Sequence, residues 1–463
     1  MCSSDLGSRM RGLRPALTAL PLLVALAVLA GCAGLAVEKE KRHTPADIAG
    51  YRPGDFIAPI TSIDGERAAA EERRERIRVA TLLPPASTLG DEDSGLPGGL
   101  WAIAFLNSDR REGLDIFFNA LAGIEAKPVE FQRATLSAAY TMYAKESAPL
   151  ILTVLDRLNA PREFAIAAHA LLKAGDTVEL RAMLREKLIA KFPDWQNEGR
   201  LIVLEHALTT DGINERLIRP PLIDLLTAPF RPGLPVIFSF QRPDRSRPGL
   251  AMLRDADGRF VRNADGGYFN IVHWALALSG LPGTITNGNT PQGLFAIVGA
   301  GTATHPSIGP TPFLHSKVPR EATLAEYEHA RADEVAGEWS VARYESFLPA
   351  SWRGYFPFRE AWYAGLAGRD EMWVHGTTVN PEYYRGETYY PGTPASGCLV
   401  AMEYWSKVDG RLMHSDQLAL AKAFTAGGRD RGYLVVVELD DRDQPVTLAD
   451  VVADVVVAEA AAR

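Results

Sequence analysis

The feature that most constrains the fold of this chain is a change in the spacing of its apolar residues near residue 230. Between residues 98 and 230, apolar side chains recur at positions i, i+3, i+4 and i+7, which is the period of one helix face. After residue 234 the apolar runs are short and strand-like, as in VIFSFQ, GLFAIVGAG and GYLVVVELDD, and Gly, Asp and Asn turns separate them. The sequence therefore predicts a multidomain chain in which an all-α layer precedes a β-rich domain with inserted helices.

The predicted helices of residues 98–230 are separated by short breaks with Pro, Gly or Asp, which is typical of stacked helical hairpins of the HEAT-like kind. Before this layer, residues 32–97 are charged and rich in Pro and Gly, so we expect a tether and linker, with one helix over 64–83. Residues 441–463 form a helix-like C-terminal tail.

The N-terminus has the pattern of an export signal, which we assign to residues 1–31. Three arginines precede an uncharged run over 16–30 that is too short for a stop-transfer helix. The run ends in LAGC, which resembles the bacterial lipobox and makes Cys32 a candidate for lipidation; a plain secretory signal that contains Cys32 is the alternative. Because Ala33 is not Asp, the resemblance implies an outer-membrane lipoprotein facing the periplasm, anchored stably by two or three acyl chains.

The charge balance argues against nucleic acid as a partner. The chain has a net charge of −8 and no basic stripe, whereas phosphate binding needs clustered Lys and Arg. Of the three cysteines, Cys2 and Cys32 lie in the predicted leader, which leaves Cys398 for the folded body. A single cysteine there is either a small buried hydrophobic residue or a nucleophile.

A nucleophilic cysteine needs a base and an oxyanion site. Cys398 follows Ser396 and Gly397, so successive backbone N–H groups can converge beside the sulfur as a candidate oxyanion hole. The candidate base is His375, which ends a short apolar run 23 residues earlier and is followed by Gly376. At the end of a strand such a histidine can project into a cleft while a backbone carbonyl fixes its tautomer.

Two motifs, VHGT with ASGCL and NTPQGLFAIVG upstream, resemble the L,D-transpeptidase catalytic domain, the YkuD-like family. The resemblance covers roughly residues 234–440, with an unusual insertion at about 303–360. In that family a TPxGxFxI strand precedes a histidine strand and a cysteine turn. The positions that match the first motif are Thr290, Pro291, Gly293, Phe295 and Ile297.

The resemblance implies an enzyme of cell-wall biogenesis and cell shape that uses no cofactor. Cys398 would attack the carbonyl between the third and fourth residues of a peptidoglycan stem tetrapeptide, and D-Ala would leave with a proton from His375. An amine acceptor, or water in a hydrolase, would then resolve the thioester. The chain departs from the family at Ser396, where a histidine is usual, and at Val400, where Asn or Arg is usual.

The loop PEYYRGETYYPGTP between the two candidate catalytic residues admits two interpretations. As a lid, Tyr383 and Tyr384 would meet sugar or stem peptide, and Arg385 a carboxylate; as an exposed loop, it would pack on its own tyrosines. Arg353 likewise either faces the cleft or belongs to a packed core.

The spacing of the histidines predicts no metal site. The main rival function is a lipoprotein whose degenerate transpeptidase-like domain binds peptidoglycan without turnover, while the helical layer recruits a protein partner.

Overall fold

The computed structural model describes residues 41–85, 95–210, 218–379, 381 and 392–461. Helices dominate the part before residue 230 and strands the part after it. The helices of four or more residues, in chain order, are α1 Pro45–Gly50, α2 Ile63–Thr81, α3 Gly95–Leu106, α4 Arg110–Leu121, α5 Val129–Met142, α6 Ala144–Val154, α7 Pro161–Ala174, α8 Val178–Lys191, α9 Gly199–Thr209, α10 Leu222–Thr227, α11 Leu324–Tyr327, α12 Val341–Ser346, α13 Glu360–Leu366, α14 Asp416–Thr425 and α15 Val452–Ala461.

The strands in chain order are β1 Lys41–Arg42, β2 Val236–Gln241, β3 Gly249–Arg254, β4 Asn270–Trp274, β5 Gly293–Thr302, β6 Phe313–Lys317, β7 Val374–His375, β8 Leu399–Ala401, β9 Glu403–Trp405, β10 Leu412–Ser415 and β11 Gly432–Glu438. The spatial order β5-β11-β2-β3-β4-β8-β7-β6 returns to β5, so eight strands close into a barrel. Only β2 with β11 and β7 with β8 are parallel among these described pairs. The strand β1 extends the sheet along the far end of β5.

The barrel interior is filled by one face of all eight strands. Alternating residues point inward, for example Ile237 on β2, Phe295 on β5 and Val374 on β7, because successive side chains of a strand point to opposite sides. Helix α14 packs into the same core with Leu420 and Phe424. Ser415 begins this helix by accepting a hydrogen bond from the Leu418 N–H at 2.8 Å, as expected of an N-cap.

A second core covers the outer face of β2, β3, β5 and β11. Helices α10 and α15 and the aromatic residues of the 320–363 region bury this face, among them the fully buried Tyr344 and Trp352. The C-terminal tail predicted for 441–463 is therefore part of a core, since Val455 and Ala458 of α15 are buried in it. Strands buried on both faces read as continuous apolar runs, which explains why VIFSFQ shows no alternation.

The helical layer has its own core and matches the predicted segments closely. Within the predicted helical layer, the segments 162–175, 178–192 and 198–209, whose apolar residues recur with the helical period, form α7, α8 and α9 with ends within one residue. The layer touches the barrel side of the molecule, since Leu281 and Ile285 of the β4–β5 connection are buried in its core. Among the described residues no helix has the length and apolar character needed to span a membrane.

Two boundaries predicted from the sequence are wrong. Residues 41–85, assigned to a tether, are packed: Lys41 pairs with Thr302 of β5, and Ile48 is fully buried in the barrel core. The region 303–360, assigned to an insertion, contains β6, a barrel strand that pairs with β5 and β7. The two strands concerned, β1 with two residues and β6 with five, carry too little periodicity to be distinguished from a loop.

The packed N-terminal segment gives a direct test. Replacing Ile48 with Ala should lower the free energy of unfolding by about 2–4 kcal/mol, because the substitution leaves a cavity in the barrel core. Ile57→Ala is the matched control, since Ile57 is 53% exposed and should cost less than about 0.5 kcal/mol. Urea unfolding of the two variants measures the difference, and equal losses would show that residues 41–50 do not pack on the barrel.

Candidate active site

Strands β7 and β8 place His375 and Cys398 on the same side of the sheet. Val374 pairs with Leu399 in parallel register, and both side chains point into the barrel. The neighbouring residues therefore point outward. In this register Cys398 lies opposite Trp373, and His375 lies two residues further along its own strand. The two side chains are therefore diagonal rather than directly opposite neighbours on adjacent strands.

The imidazole of His375 is buried and neutral. Its Nδ1–H donates to the carbonyl of Gly376, so the predicted backbone carbonyl that fixes the tautomer is present and Nε2 carries the lone pair. Burial lowers the pKa of His375 to about 4, more than the bond to the Gly376 carbonyl raises it. Nε2 has no hydrogen-bond partner among the residues that the structure describes. The ring is therefore equipped to accept a proton at Nε2.

A buried carboxyl group next to residue 376 leaves room only for glycine at that position. A Cβ at this position would lie 2.1 Å from Cδ of Glu403, so no other residue fits without displacing that side chain. Glu403 is 3% exposed and accepts a hydrogen bond from the Ser415 hydroxyl at 2.7 Å. Burial raises the pKa of Glu403 to about 8, so the carboxyl is mostly protonated at neutral pH. Sequence reasoning did not identify Glu403.

The Cys398 thiol is held by two backbone groups. Its S–H donates to the carbonyl of Glu371 at 3.3 Å, and its sulfur accepts from the N–H of Trp373 at 3.4 Å. Burial raises the pKa of the thiol to about 11, and the Trp373 N–H and the Arg369 guanidinium oppose this rise. No hydrogen bond joins Cys398 to His375 in the described structure. The pair is thus a neutral thiol and a neutral imidazole on one face, without the bond that proton transfer requires.

The turn that precedes the Cys398 sulfur contains three backbone N–H groups without an acceptor in the described structure. Within the described part of the chain, the backbone N–H groups of Ser396, Gly397 and Cys398 donate to no acceptor. Cys398 itself is partly accessible to solvent, and Ser396 is exposed. Successive unpaired N–H groups beside an accessible sulfur are the arrangement that an oxyanion needs.

The TPQG motif predicted to belong to the site contacts this turn. The Thr290 hydroxyl donates to the carbonyl of Gly397 at 2.9 Å, 107 residues away in sequence. Gln292 accepts from the Glu438 N–H at 2.9 Å through its side chain, and its own N–H donates to Glu360 at 2.9 Å. The motif therefore connects the cysteine turn to β11 and α13.

Arg369 is a buried cation under the cysteine turn, and no sequence pattern singled it out. It is 5% exposed and donates to the carbonyls of Gly283, Asn289 and Gly288, the latter two at 2.8 and 3.0 Å. Burial lowers the pKa of Arg369 to about 10, so the guanidinium stays charged at neutral pH. Among described residues it forms no ion pair, and its nearby charges include the Cys398 thiolate when that forms. Its field therefore favours the thiolate.

The helical layer supports the same turn through the β4–β5 connection. The Leu278 N–H donates to the Ala395 carbonyl at 2.7 Å, and the Ala395 N–H donates to the Leu276 carbonyl at 3.0 Å. This connection is fixed from the other side, where the Thr141 hydroxyl of α5 donates to the Ser279 carbonyl at 2.9 Å. The helices thus pack on the segment that positions the cysteine turn.

The remaining predicted residues are not brought to this site or lie outside the described residues. Arg353 donates to the carbonyls of Leu348 and Ser346, at 3.0 and 3.5 Å, within its own segment. The predicted lid residues Tyr383, Tyr384 and Arg385 lie outside the described part of the chain, as does Cys32. The described residues include no group of three or more His, Cys, Asp and Glu arranged to hold a metal.

The fit of Gly397 against Arg369 can be tested by substitution. Gly397 has φ +120°, and a Cβ there would lie 2.2 Å from Nη2 of Arg369. Gly368→Ala is the control, because Gly368 has φ +75° with nothing within 4 Å of a Cβ, and we expect a loss of about 1–2 kcal/mol from the backbone alone. Gly397→Ala should cost about 1–3 kcal/mol more, because the Cβ collides with the guanidinium and because φ +120° is farther from the left-handed region that L-residues can adopt. Equal losses in urea unfolding would mean that the guanidinium does not pack against the turn.

The reactivity of the thiol should follow its raised pKa. Alkylation of Cys398 by iodoacetamide should be slow at pH 7 and rise about tenfold per pH unit until the pH nears the pKa of about 11, because the thiolate reacts. Arg369→Met should raise that pKa further and slow labelling several-fold at a given pH, whereas Arg369→Lys keeps a positive charge and should be slowed less. Labelling that is unchanged in a folded Arg369→Met variant would exclude an electrostatic role for Arg369.

Comparisons with known proteins leave the family open. The chain matches no protein-family model, no curated protein and no solved structure. Its resemblance to the L,D-transpeptidases therefore rests on the motifs in its own sequence.

Proposed function

We propose that this protein is a cell-envelope L,D-transpeptidase that uses Cys398 as its nucleophile and His375 as its base. The observation that carries this proposal is the convergence of three distant segments: the Thr290 hydroxyl binds the Gly397 carbonyl, and the β7–β8 pairing sets His375 and Cys398 on one face. The free N–H groups of residues 396–398 support the same chemistry.

In the proposed reaction the neutral pair reacts without a preformed ion pair. Rotation of the Cys398 side chain away from the Glu371 carbonyl brings the thiol toward Nε2 of His375, which takes the proton as the S–C bond forms at the substrate carbonyl. The oxyanion then lies against the N–H groups of residues 396–398. The C–N bond to D-Ala breaks, the leaving amine receives the proton from His375, and a thioester remains on Cys398.

The second half of the proposed cycle reverses these roles. An amine acceptor donates its proton to Nε2 of His375 as it attacks the thioester, and the protonated imidazole returns that proton to the departing sulfur. The partner in both halves is a peptidoglycan stem peptide. Arg369 contributes a fixed positive charge near the sulfur whenever the thiolate forms.

A non-catalytic peptidoglycan-binding protein is the second candidate function, and specific observations favour it. The thiol is bonded to Glu371 rather than to His375, and burial raises its pKa to about 11. In addition, Ser396 replaces the histidine usual in the family's motif. Both features make the sulfur a poor nucleophile unless substrate binding rearranges the turn.

The proposed location follows from the N-terminal pattern. We propose that Cys32 carries the lipid anchor and that the folded part faces the periplasm from the outer membrane. The acidic charge balance suits a partner other than nucleic acid.

Covalent trapping distinguishes the two functions. Incubation with a stem tetrapeptide should add the mass of the tripeptide acyl group to the protein and release D-Ala, as read by intact-protein mass spectrometry. Cys398→Ala should add nothing, and His375→Gln should slow acylation by about 100-fold or more, because the general base is lost. His414→Gln is the matched control, since His414 is exposed and bonded to Asp416, and it should acylate normally.

A binding protein would give a different result. It would retain the tetrapeptide without covalent mass and without release of D-Ala, and the His375→Gln variant would behave as the wild type. A carbapenem gives an independent probe, because it should acylate Cys398 in the enzyme and leave a binding protein unmodified. Either negative result in the folded wild type would contradict the transferase proposal.

A further inference from the structure

One carboxylate joins two turns that lie beside Cys398. Glu321 follows β6, and its side chain is partly buried. Its Oε2 accepts from the Val318 N–H at 3.1 Å within its own turn. Its Oε1 accepts from the Glu371 N–H at 3.1 Å, 50 residues further along the chain. The carboxylate therefore connects the end of β6 to the segment that precedes β7.

Both turns contain a residue in a strained backbone conformation. Arg320 has φ +75° and Glu371 has φ +52°, in the left-handed region that residues other than glycine rarely adopt. Such a conformation persists only where the surrounding contacts impose it. Glu321 supplies one such contact to each turn, because it follows Arg320 directly and binds the N–H of Glu371.

Residue 371 in turn holds the Cys398 thiol. The S–H of Cys398 donates to the Glu371 carbonyl at 3.3 Å, and the Trp373 N–H donates to the sulfur at 3.4 Å. A carbonyl oxygen beside the sulfur favours the protonated thiol, because a thiolate has no proton to donate to it. Glu321 thus fixes the residue whose carbonyl keeps the thiol in an orientation without a bond to His375.

The negative charge of Glu321 acts on the same sulfur. Burial makes the largest contribution to the raised pKa of the Cys398 thiol, and the carboxylates of Glu371 and Glu321 raise it further. A thiol with a higher pKa has less thiolate at a given pH and therefore reacts more slowly. The hydrogen bond and the charge of Glu321 consequently oppose thiolate formation together.

The charge of this carboxylate changes close to neutral pH. Burial raises the pKa of Glu321 to about 7, and the bonds from the Glu371 and Val318 N–H groups oppose this rise. Two further charged groups beside it are Asp370, which raises the pKa of Glu321, and Lys317, which lowers it. Glu321 is therefore ionised above this pH range and neutral below it.

We propose that Glu321 is a positioning residue whose ionised carboxylate holds residue 371 and so restrains the Cys398 thiol and lowers its reactivity. When ionised, the carboxylate accepts from both N–H groups and places a negative charge near the sulfur. When protonated, it loses that charge and uses one oxygen to carry the proton. As the control of a catalytic nucleophile this role rests on the proposed function, but the reactivity of the thiol can be measured without a substrate.

Alkylation of Cys398 by N-ethylmaleimide in the full-length chain tests the proposal. Glu321→Gln keeps the shape of the protonated carboxyl group and has no charge. It should react about three- to tenfold faster than the wild type at about pH 8.5, where Glu321 is ionised. At about pH 5.5, where Glu321 is neutral in the wild type, the two rates should be nearly equal. Mass spectrometry of the peptide that contains Cys398 measures both rates.

Glu326→Gln is the matched control. Glu326 lies five residues after Glu321, and its carboxylate likewise accepts from a backbone N–H, that of Thr323 at 2.9 Å, and pairs with Lys317 at 3.1 Å. This variant removes a carboxylate from the same region and leaves the bond between Glu321 and residue 371 in place. Its labelling rate should therefore match the wild type within about twofold at both pH values.

Two labelling results would overturn the proposal. The first is an equal rate for Glu321→Gln and the wild type at about pH 8.5. The second is a rate ratio that does not change with pH, because a merely structural effect of the substitution does not depend on the ionisation of Glu321. The Ser316 hydroxyl donates to the Met372 carbonyl in either case, so the segment keeps a second attachment to β6 in the variant.

Hydrogen exchange of the wild type keeps the test valid if Glu321→Gln fails to fold. After correction for the intrinsic exchange rate, the amide of Glu371 should be protected several-fold more at about pH 8.5 than at about pH 5.5. Equal protection at the two pH values would contradict the proposal. None of these measurements uses a stem peptide, so a failure of this restraint is distinguishable from a failure of the proposed transferase reaction, which the acylation assay measures.

Discussion

The pairing of β7 with β8 inside a closed barrel determines the geometry of the candidate site. Val374 and Leu399 are fully buried in the barrel core, so their inward orientation is fixed by the apolar surface that they remove from water. Because side chains alternate along a strand, His375 and Cys398 must then point outward together. A slip of one residue in either strand would bury one of the polar groups in the apolar interior, which strongly disfavours any other register.

Around this pair the structure holds both groups in their neutral forms. Burial lowers the pKa of His375 to about 4 and raises that of Cys398 to about 11, so a thiolate–imidazolium pair is disfavoured in the state described. Two buried side chains lie near the pair. Arg369 places a positive charge near the sulfur, and Glu403, which is mostly protonated, fills the space next to Gly376.

The helical layer has a structural relation to this site that its position in the sequence does not suggest. Leu281 and Ile285 anchor the β4–β5 connection in the helical core, and the same connection binds Ala395 in the cysteine turn. The layer is therefore more than a separate partner surface.

The sequence by itself determined the elements whose pattern is strong. The helical period of 162–209 and the apolar run 236–241 specify local structure through interactions between near neighbours, and the chain folds there as the pattern predicts. The candidate pair His375 and Cys398 could also be selected from residue types and order, and Thr290 from the resemblance of its motif to a known family. Only the tertiary structure decided the rest: the packing of Ile48 and β6 into the barrel, the burial of Arg369 and Glu403 beside the motifs, and the absence of a bond between thiol and imidazole in the described state. Those features depend on contacts between residues far apart in the chain and on the exclusion of water, and neither leaves a periodic trace in the sequence.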